Sequence, residues 1–291
     1  MSHMGFFASV NGVVTEAAQA RVSVLDNGFT FGDAVYETLR TYGRRPFHLD
    51  RHLARLRRSA SRLRIAIPVD DAELARRVDA LLERAPHAES YLRLIVSRGV
   101  GDISYNFDRV QGPTVVMVTK PFNPFPDSYY RDGIPVILSS VLRNHPRALD
   151  PGIKSCNLLN NALAMQEAQD KGAFEPILLN ANGDVAEGAG SNVFLVKDGV
   201  LVTPPLDAGI LPGVTRAVVL ERAQALGVTA REARVRVADL LAADEAFITS
   251  SLKELAPIRT IDGAPVGNGR PGRLTLRLLE DYRTYAPAHS V

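Results

Sequence analysis

The chain has a single cysteine, Cys156, and no tryptophan among its 291 residues. One cysteine cannot close an internal disulfide, and such usage fits a reducing compartment, so the expected location is cytoplasmic. One cysteine and six scattered histidines show no zinc-ligand spacing, and no metal is expected. No apolar run approaches the length of a bilayer span, so no membrane role is expected. No charged, apolar, then small-residue leader opens the chain; residues Met1 to Met4 read as an added tag, with Met4 the natural start. An excess of one charge is missing too. Lys plus Arg total 34 against 32 for Asp plus Glu, a net charge of +2, too balanced for a nucleic-acid surface. No Gly-x-Gly-x-x-Gly follows a strand and no Gly-Lys-Ser/Thr loop occurs, which removes dinucleotide and P-loop readings. There is no internal repeat.

What is present is ordinary globular composition, with 46% hydrophobic and 23% charged residues, enough for one large domain or two modest ones. The one strong break is Pro121-Phe122-Asn123-Pro124-Phe125-Pro126-Asp127. Three prolines in six residues suit neither a helix interior nor a central strand. We therefore expect a small N-terminal domain over 1–120, a linker over 121–132 and a larger domain over 133–291. Phe6 to Val14 predicts a hairpin turning at Asn11-Gly12. Leu49, Leu53, Leu56, Ala60 and Leu63 fall at helical spacing, and Ala72 to Arg84 predicts a second helix. Tyr91–Ser97, Thr114–Lys120, Val136–Val141, Pro176–Leu179, Asn192–Val196 and Phe247–Thr249 predict strands. Leu158–Lys171, Thr215–Leu226 and Leu274–Tyr285 predict helices. Short strands with hairpin turns and interspersed helices predict an α+β fold rather than a doubly wound parallel sheet.

Four clusters carry chemistry. Lys154, in Ile153-Lys154-Ser155-Cys156-Asn157, stands just before a predicted apolar helix, where partial burial makes a lysine nucleophilic toward an aldehyde. Glu187 lies in Gly183-Asp184-Val185-Ala186-Glu187-Gly188-Ala189-Gly190-Ser191-Asn192, a loop whose small residues let a flat ligand approach; a carboxylate there can pair with a protonated ring nitrogen. Leu211-Pro212-Gly213-Val214-Thr215 opens a helix whose free N–H groups suit a phosphate. Thr249-Ser250-Ser251 is a hydroxyl-rich turn after a strand. Singly, each has a plain structural explanation: a solvated lysine, a surface hairpin, a helix start, a cap. One ligand uses all four, a phosphorylated aromatic aldehyde, and pyridoxal 5′-phosphate is that ligand.

With these motifs in order, and with Phe31-Gly32-Asp33-Ala34-Val35-Tyr36-Glu37 near the start, the sequence resembles the class IV aminotransferases. These are pyridoxal-phosphate enzymes of the two-domain fold type IV, related to D-amino acid aminotransferase. The resemblance runs over nearly the whole chain. It implies that Lys154 is the Schiff-base lysine and Glu187 the partner of the ring nitrogen. Arg55, in His52-Leu53-Ala54-Arg55-Leu56, corresponds to the arginine that reaches the phosphate. Leu211 corresponds to the residue against the ring, Gly213, Val214 and Thr215 to the phosphate-binding helix start, and Ser250 and Ser251 to a second phosphate turn. Ser191 and Asn192 match the family's Ser-Asn-x-Phe signature. The neighbouring arginines Arg51, Arg57, Arg58, Arg62 and Arg64 read as a solvated helix face. The family implies a homodimer.

Within the family, Ser90-Tyr91-Leu92-Arg93 resembles the Tyr-x-Arg strand of branched-chain aminotransferases, and period-2 alternation puts Tyr91 and Arg93 on one face. Arg40 matches that group as well. Phe31 stands where those enzymes carry Tyr. Tyr36 stands where D-amino acid enzymes carry a carboxylate-binding Tyr, yet their Arg-x-His appears here as Ile103-Ser104-Tyr105. Thr38 stands where aminodeoxychorismate lyases carry a working Thr. Leu252 joins Phe31, Tyr36, Thr38, Arg40, Tyr91, Arg93 and Tyr105 as a candidate substrate contact. The first expectation is transamination between an L-amino acid, branched-chain preferred, and a 2-oxo acid such as 2-oxoglutarate. A D-amino acid aminotransferase is the alternative, and a lyase releasing pyruvate and 4-aminobenzoate the second. A non-catalytic pyridoxal-phosphate carrier predicts a degraded constellation, whereas Lys154, Glu187 and Arg55 are all present.

Overall fold

Alternation of apolar and polar residues builds the first of two units. The computed structural model describes residues 5–290; the reading of Met1–Met4 as a tag falls outside them. The first unit comprises residues 1–123, 153–157 and 286–291. Its strands are β1 (Phe7–Val10), β2 (Val13–Glu16), β3 (Ala34–Tyr42), β4 (Arg45–Pro46), β5 (Ser90–Ser97) and β6 (Thr114–Pro121), and its helices α1 (Asn27–Phe31), α2 (Leu49–Arg62) and α3 (Asp71–Arg84). The strands form one sheet in the order β2-β1-β6-β5-β3-β4, antiparallel throughout. The expected hairpin turns at Asn11 and Gly12, whose φ angles of 50° and 92° match the right-handed twist of paired strands. Val35 and Leu39 of β3 and Leu92, Leu94 and Val96 of β5 face one core with Leu53 and Leu56 of α2 and Leu74, Val78 and Leu81 of α3. The other sheet face stays half-exposed and carries Tyr36, Thr38 and Arg40 of β3 and Tyr91 and Arg93 of β5.

The second unit comprises 124–152 and 158–285. In chain order it holds α4 (Asp127–Arg131), β7 (Ile134–Leu138), α5 (Leu159–Asp170), β8 (Glu175–Leu179), β9 (Val185–Gly188), β10 (Asn192–Lys197), β11 (Val200–Thr203), α6 (Val214–Ala225), β12 (Ala230–Glu232), α7 (Val237–Leu241), β13 (Glu245–Ser250), β14 (Glu254–Ile261), β15 (Ala264–Pro265) and most of α8 (Arg273–Ala288). Its nine-stranded sheet runs β12-β11-β10-β13-β14-β7-β8-β9, with β15 on β14. The β14–β7, β7–β8 and β11–β12 pairs are parallel and the rest antiparallel, so the sheet is mixed, as an α+β chain allows. Ile134, Ile177, Val193, Ile248 and Ile258 meet in its core.

Three expectations need correction. The stretch read as linker holds the end of β6 and helix α4, whose Tyr130 is buried. Residues 153–157 group with the first unit although they lie inside the stretch expected as the second domain. The proline pattern marks where helices cannot be, but not which sheet a later strand joins. Arg57 is not simply solvated: its Nε donates to Asp71 Oδ1 at 2.5 Å and its Nη2 to the Val69 carbonyl, tying α2 to the start of α3. Arg58, Arg62 and Arg64 are exposed. No helix among the described residues is long and apolar enough to cross a membrane.

Candidate functional site

In the first unit the chemistry gathers around β3. Lys154 precedes helix α5, as expected, but its backbone is tied to β3 and α2. The Lys154 carbonyl accepts from Tyr36 N–H at 2.9 Å, Cys156 N–H donates to the Ala34 carbonyl at 2.8 Å, and Val35 and Ser155 form an antiparallel bridge. Residues 154–156 therefore pair with β3 through one isolated antiparallel bridge, and helix α5 begins at Leu159. The Lys154 backbone N–H donates to Ser59 Oγ of α2 at 3.2 Å. Main-chain bonds on both sides fix where this side chain leaves the backbone.

Lys154 Nζ lies 4.4 Å from the Tyr36 ring centroid, and the Arg93 guanidinium lies 4.1 Å from the same centroid. Burial pushes the Tyr36 phenol up to about 12, against the pull of Arg93, so it stays a neutral hydrogen-bond donor at neutral pH. Burial likewise raises the Cys156 thiol. Thr38 pairs with Arg93 across the strands, and Arg40 pairs with Tyr91. Arg40 lies four residues along β3 from Tyr36, about 13 Å away at strand spacing. Its guanidinium is sandwiched between Phe122 and Tyr42, 3.9 and 4.2 Å from their centroids. Of the candidate substrate residues, then, Tyr36 and Arg93 gather with Lys154, Thr38 adjoins them, and Arg40 and Tyr91 form a more distant row. Phe31 and Tyr105 meet each other, ring centroids 5.0 Å apart, with Tyr105 82% exposed on its loop.

Arg55 is buried on the opposite face of β3 and is held there by a group the sequence reading missed. Its Nε donates to Glu37 Oε1 and its Nη2 to Glu37 Oε2, both at 2.7 Å, and His52 Nδ1 stands 2.7 Å from Oε2. Burial alone would raise the Glu37 carboxyl, but Arg55 and His52 bring it down to about 2. Burial keeps His52 below its ordinary value despite the carboxylate beside it. The signal was available: Glu37 interrupts the buried series Val35, Leu39 on an alternating strand, and a charge at such a place needs a partner.

In the second unit the loop around Glu187 is built as a carboxylate clamp. Glu187 Oε1 accepts from Arg143 Nε at 2.8 Å, and Oε2 accepts from Asn192 Nδ2 and the Leu211 N–H, both at 3.0 Å. These are donors only, the set a carboxylate wants. Asn192 Nδ2 also donates to the Leu211 carbonyl. Arg143 was not foreseen, because nothing in its local sequence marks it. Gly213, at the N-cap of α6, lies so close to Asn192 that a Cβ there would overlap Asn192 Oδ1.

Around the helix start the polar groups are unmet. Val214 and Thr215 begin α6, and Thr215 Oγ1 is buried with no hydrogen-bond partner. Thr249 Oγ1 is in the same condition, and Thr249 pairs directly with Asn192 across β13 and β10. Helix α6 packs on β13. Two orphaned hydroxyls beside a helix N-terminus fit a bound phosphate, since a buried unpaired hydroxyl otherwise costs about 1–3 kcal/mol. Thr249 was grouped with the hydroxyl turn in the sequence but not singled out. Ser250 Oγ instead accepts from Lys253 N–H at 3.2 Å, inside the turn itself. Ser191 Oγ donates to Glu175 at 2.9 Å. Leu211, Ser251 and Leu252 are half-buried.

Comparisons with known proteins bear on these arrangements. The family model for amino-transferase class IV matches residues 34–261. A Methanocaldococcus jannaschii protein, provisionally named a branched-chain-amino-acid aminotransferase, is 39% identical over 277 residues, 94% of each chain. The D-alanine aminotransferase of Bacillus licheniformis is 37% identical over 265 residues, 91% of this chain and 92% of that one. Among solved structures, the branched-chain amino acid aminotransferase of Thermobaculum terrenum in its pyridoxal-phosphate form superposes with a TM-score of 0.87 at 28% identity. That match covers 98% of this chain and 94% of that one.

Proposed function

The chain belongs to the class IV aminotransferases, and on that premise we propose that it is a pyridoxal-phosphate enzyme exchanging an amino group between a branched-chain L-amino acid and a 2-oxo acid such as 2-oxoglutarate. One observation carries the substrate assignment: Arg93 and Lys154 both lie against the ring of Tyr36, 4.1 and 4.4 Å from its centroid. The Arg93 guanidinium, charged and half-buried beside that ring, suits a substrate carboxylate. The amino group of the same substrate then lies near Lys154.

When bound, pyridoxal 5′-phosphate supplies an aldehyde that carries the amino group and a ring that takes up the electron pair released at the substrate Cα. Lys154 would hold the cofactor through its Nζ, and the same amine, when free and neutral, would serve as the base at the substrate Cα–H and as the proton donor at the former aldehyde carbon. Glu187, fixed by Arg143, Asn192 and the Leu211 N–H, would be the residue to keep a proton on the ring nitrogen. In the second unit, Thr215, Thr249 and the N–H groups opening α6 would hold the phosphate; in the first unit, Glu37 fixes the orientation of Arg55, which the family pattern gives a phosphate role. Leu211 would pack against the ring. The remaining assignments to Gly213, Val214, Ser250, Ser251 and Leu252 follow the family pattern.

The D-amino acid reading stays as the second, supported by the likeness to D-alanine aminotransferases. The departure at Ile103-Ser104-Tyr105 and the exposure of Tyr105 favour the first. A homodimer belongs to the proposal, supported by Phe29, Ile103, Tyr105 and Phe107, large apolar side chains exposed on the first unit. So does a cytoplasmic location, supported by the lone Cys156. The test is a half-reaction on the cofactor-loaded protein without any oxo acid. L-leucine should bleach the yellow absorbance band. Bleaching by D-alanine and not by L-leucine overturns the substrate assignment, and an unimpaired Lys154→Ala variant overturns the role of the lysine.

A further inference from the structure

Glu175, the first residue of β8, is fully buried and lies outside every assignment made so far. Both of its oxygens are used, and they reach different places. Oε1 accepts from Gly190 N–H at 2.7 Å and from Ser191 Oγ at 2.9 Å. Oε2 accepts from Lys253 Nζ at 2.6 Å. Gly190 and Ser191 belong to the turn that joins Glu187 to Asn192. Lys253 closes the turn that follows Thr249, its N–H donating to Ser250 Oγ. One carboxylate therefore joins two turns more than fifty residues apart in the chain.

A buried ion pair is weak evidence of added stability, because desolvation offsets much of the attraction. What such a pair does supply is a fixed register between the segments it joins. Here those segments adjoin the ring-nitrogen clamp on one side and the orphaned Thr249 hydroxyl on the other. Resting on the cofactor reading above, we propose that Glu175 is a positioning residue. Through Lys253 it locks the turn after Thr249, on the phosphate side, to the Gly188–Ser191 turn on the ring side, so that both grip one ligand at a set spacing.

Glu175→Gln separates the two arms. The amide keeps a carbonyl oxygen for Gly190 and Ser191, but it turns N–H donors toward the Lys253 ammonium and loses the charge that holds it. The probes are pyridoxal 5′-phosphate and pyridoxal, which lacks the phosphate, each titrated into the full-length apoprotein and followed by absorbance. Glu175→Gln should lower the preference for the phosphorylated form by about tenfold, the scale of one charge-assisted hydrogen bond, while pyridoxal binding changes little. Lys253→Met, altering a partly exposed side chain, should give the same loss, and Lys253→Arg should preserve the preference. Ser191→Ala, which cuts only the other arm, should leave the ratio within about twofold. Equal weakening of both ligands in Glu175→Gln and Lys253→Met would make the pair a general structural support and overturn the proposal, as would an unchanged preference in both variants. A wild-type protein with no preference for the phosphorylated form removes the cofactor reading and this inference together. A wild-type preference that both variants keep removes this inference alone.

Discussion

Replacing Glu37 by Gln should destabilise the first unit severely. Glu37 has no exposed surface, and three hydrogen bonds of 2.7 Å converge on it, two from Arg55 and one from His52. Gln is nearly isosteric, so no cavity opens. What changes is charge: the Arg55 guanidinium, 4% exposed, loses its counter-ion and cannot turn to water. Breaking a buried pair in this way costs about 3–5 kcal/mol. At about 2.1 cal/mol/K of unfolding entropy per residue, that lowers Tm by about 5–8 °C if the 291 residues melt together. If the first unit, roughly 130 residues, melts alone, the same cost lowers Tm by about 11–18 °C. Calorimetry of the apoprotein reads both the shift and the number of transitions. The double variant Glu37→Met/Arg55→Met provides the control: with both charges gone, it should be more stable than Glu37→Gln. A Glu37→Gln loss below about 1 kcal/mol, or a double variant worse than the single one, would refute the account of a stranded charge.

The same triad sets an acid limit: Glu37, held near 2 when folded against 4.5 when free, contributes stability that is complete above pH 4.5 and lost as pH falls toward 2. His52, kept neutral by burial, adds a loss that begins below its ordinary 6.5, because only the unfolded chain takes up that proton readily; the Tm of wild type should fall over these windows, and the lower window should vanish in Glu37→Gln. Arg93→Met should raise the KM for 2-oxoglutarate by about 10–100-fold, the value of a charge-assisted hydrogen bond to its carboxylate, and steady-state kinetics check it. Arg143→Met should cost about 3 kcal/mol in urea unfolding by leaving the Glu187 carboxylate buried without its cation. Gly213→Ala should cost about 1–3 kcal/mol and weaken cofactor binding, because its Cβ displaces Asn192 from Glu187 and Leu211; a crystal structure with Asn192 unmoved would contradict this.

The sequence was most legible where physics is local. Helix α2 announces itself through Leu49, Leu53 and Leu56 at helical spacing, and the structure runs it over Leu49–Arg62. The Asn11-Gly12 turn, and the strands Tyr91–Ser97 and Asn192–Val196, fall within a residue of their expected bounds. Legibility ends where two distant segments must meet. The run 153–157 contains too few residues to show a period, and only its backbone bridge to β3, more than a hundred residues earlier, fixes its course. That pairing matters for chemistry. A lysine at a helix start points where the helix aims it, whereas Lys154 is directed by its main-chain bonds to Tyr36 and Ser59. Arg143 and Glu175 were invisible for a related reason. Each is one charged residue in an unremarkable stretch, and its importance comes from a carboxylate or a turn brought to it by the mixed sheet. Glu37 differs, because its conflict with the apolar parity of β3 is written locally. Its case gives a rule for reading such chains. A charge on the buried face of an alternating strand asks for a partner, and in this chain the nearest helix carries two, three residues apart, at His52 and Arg55.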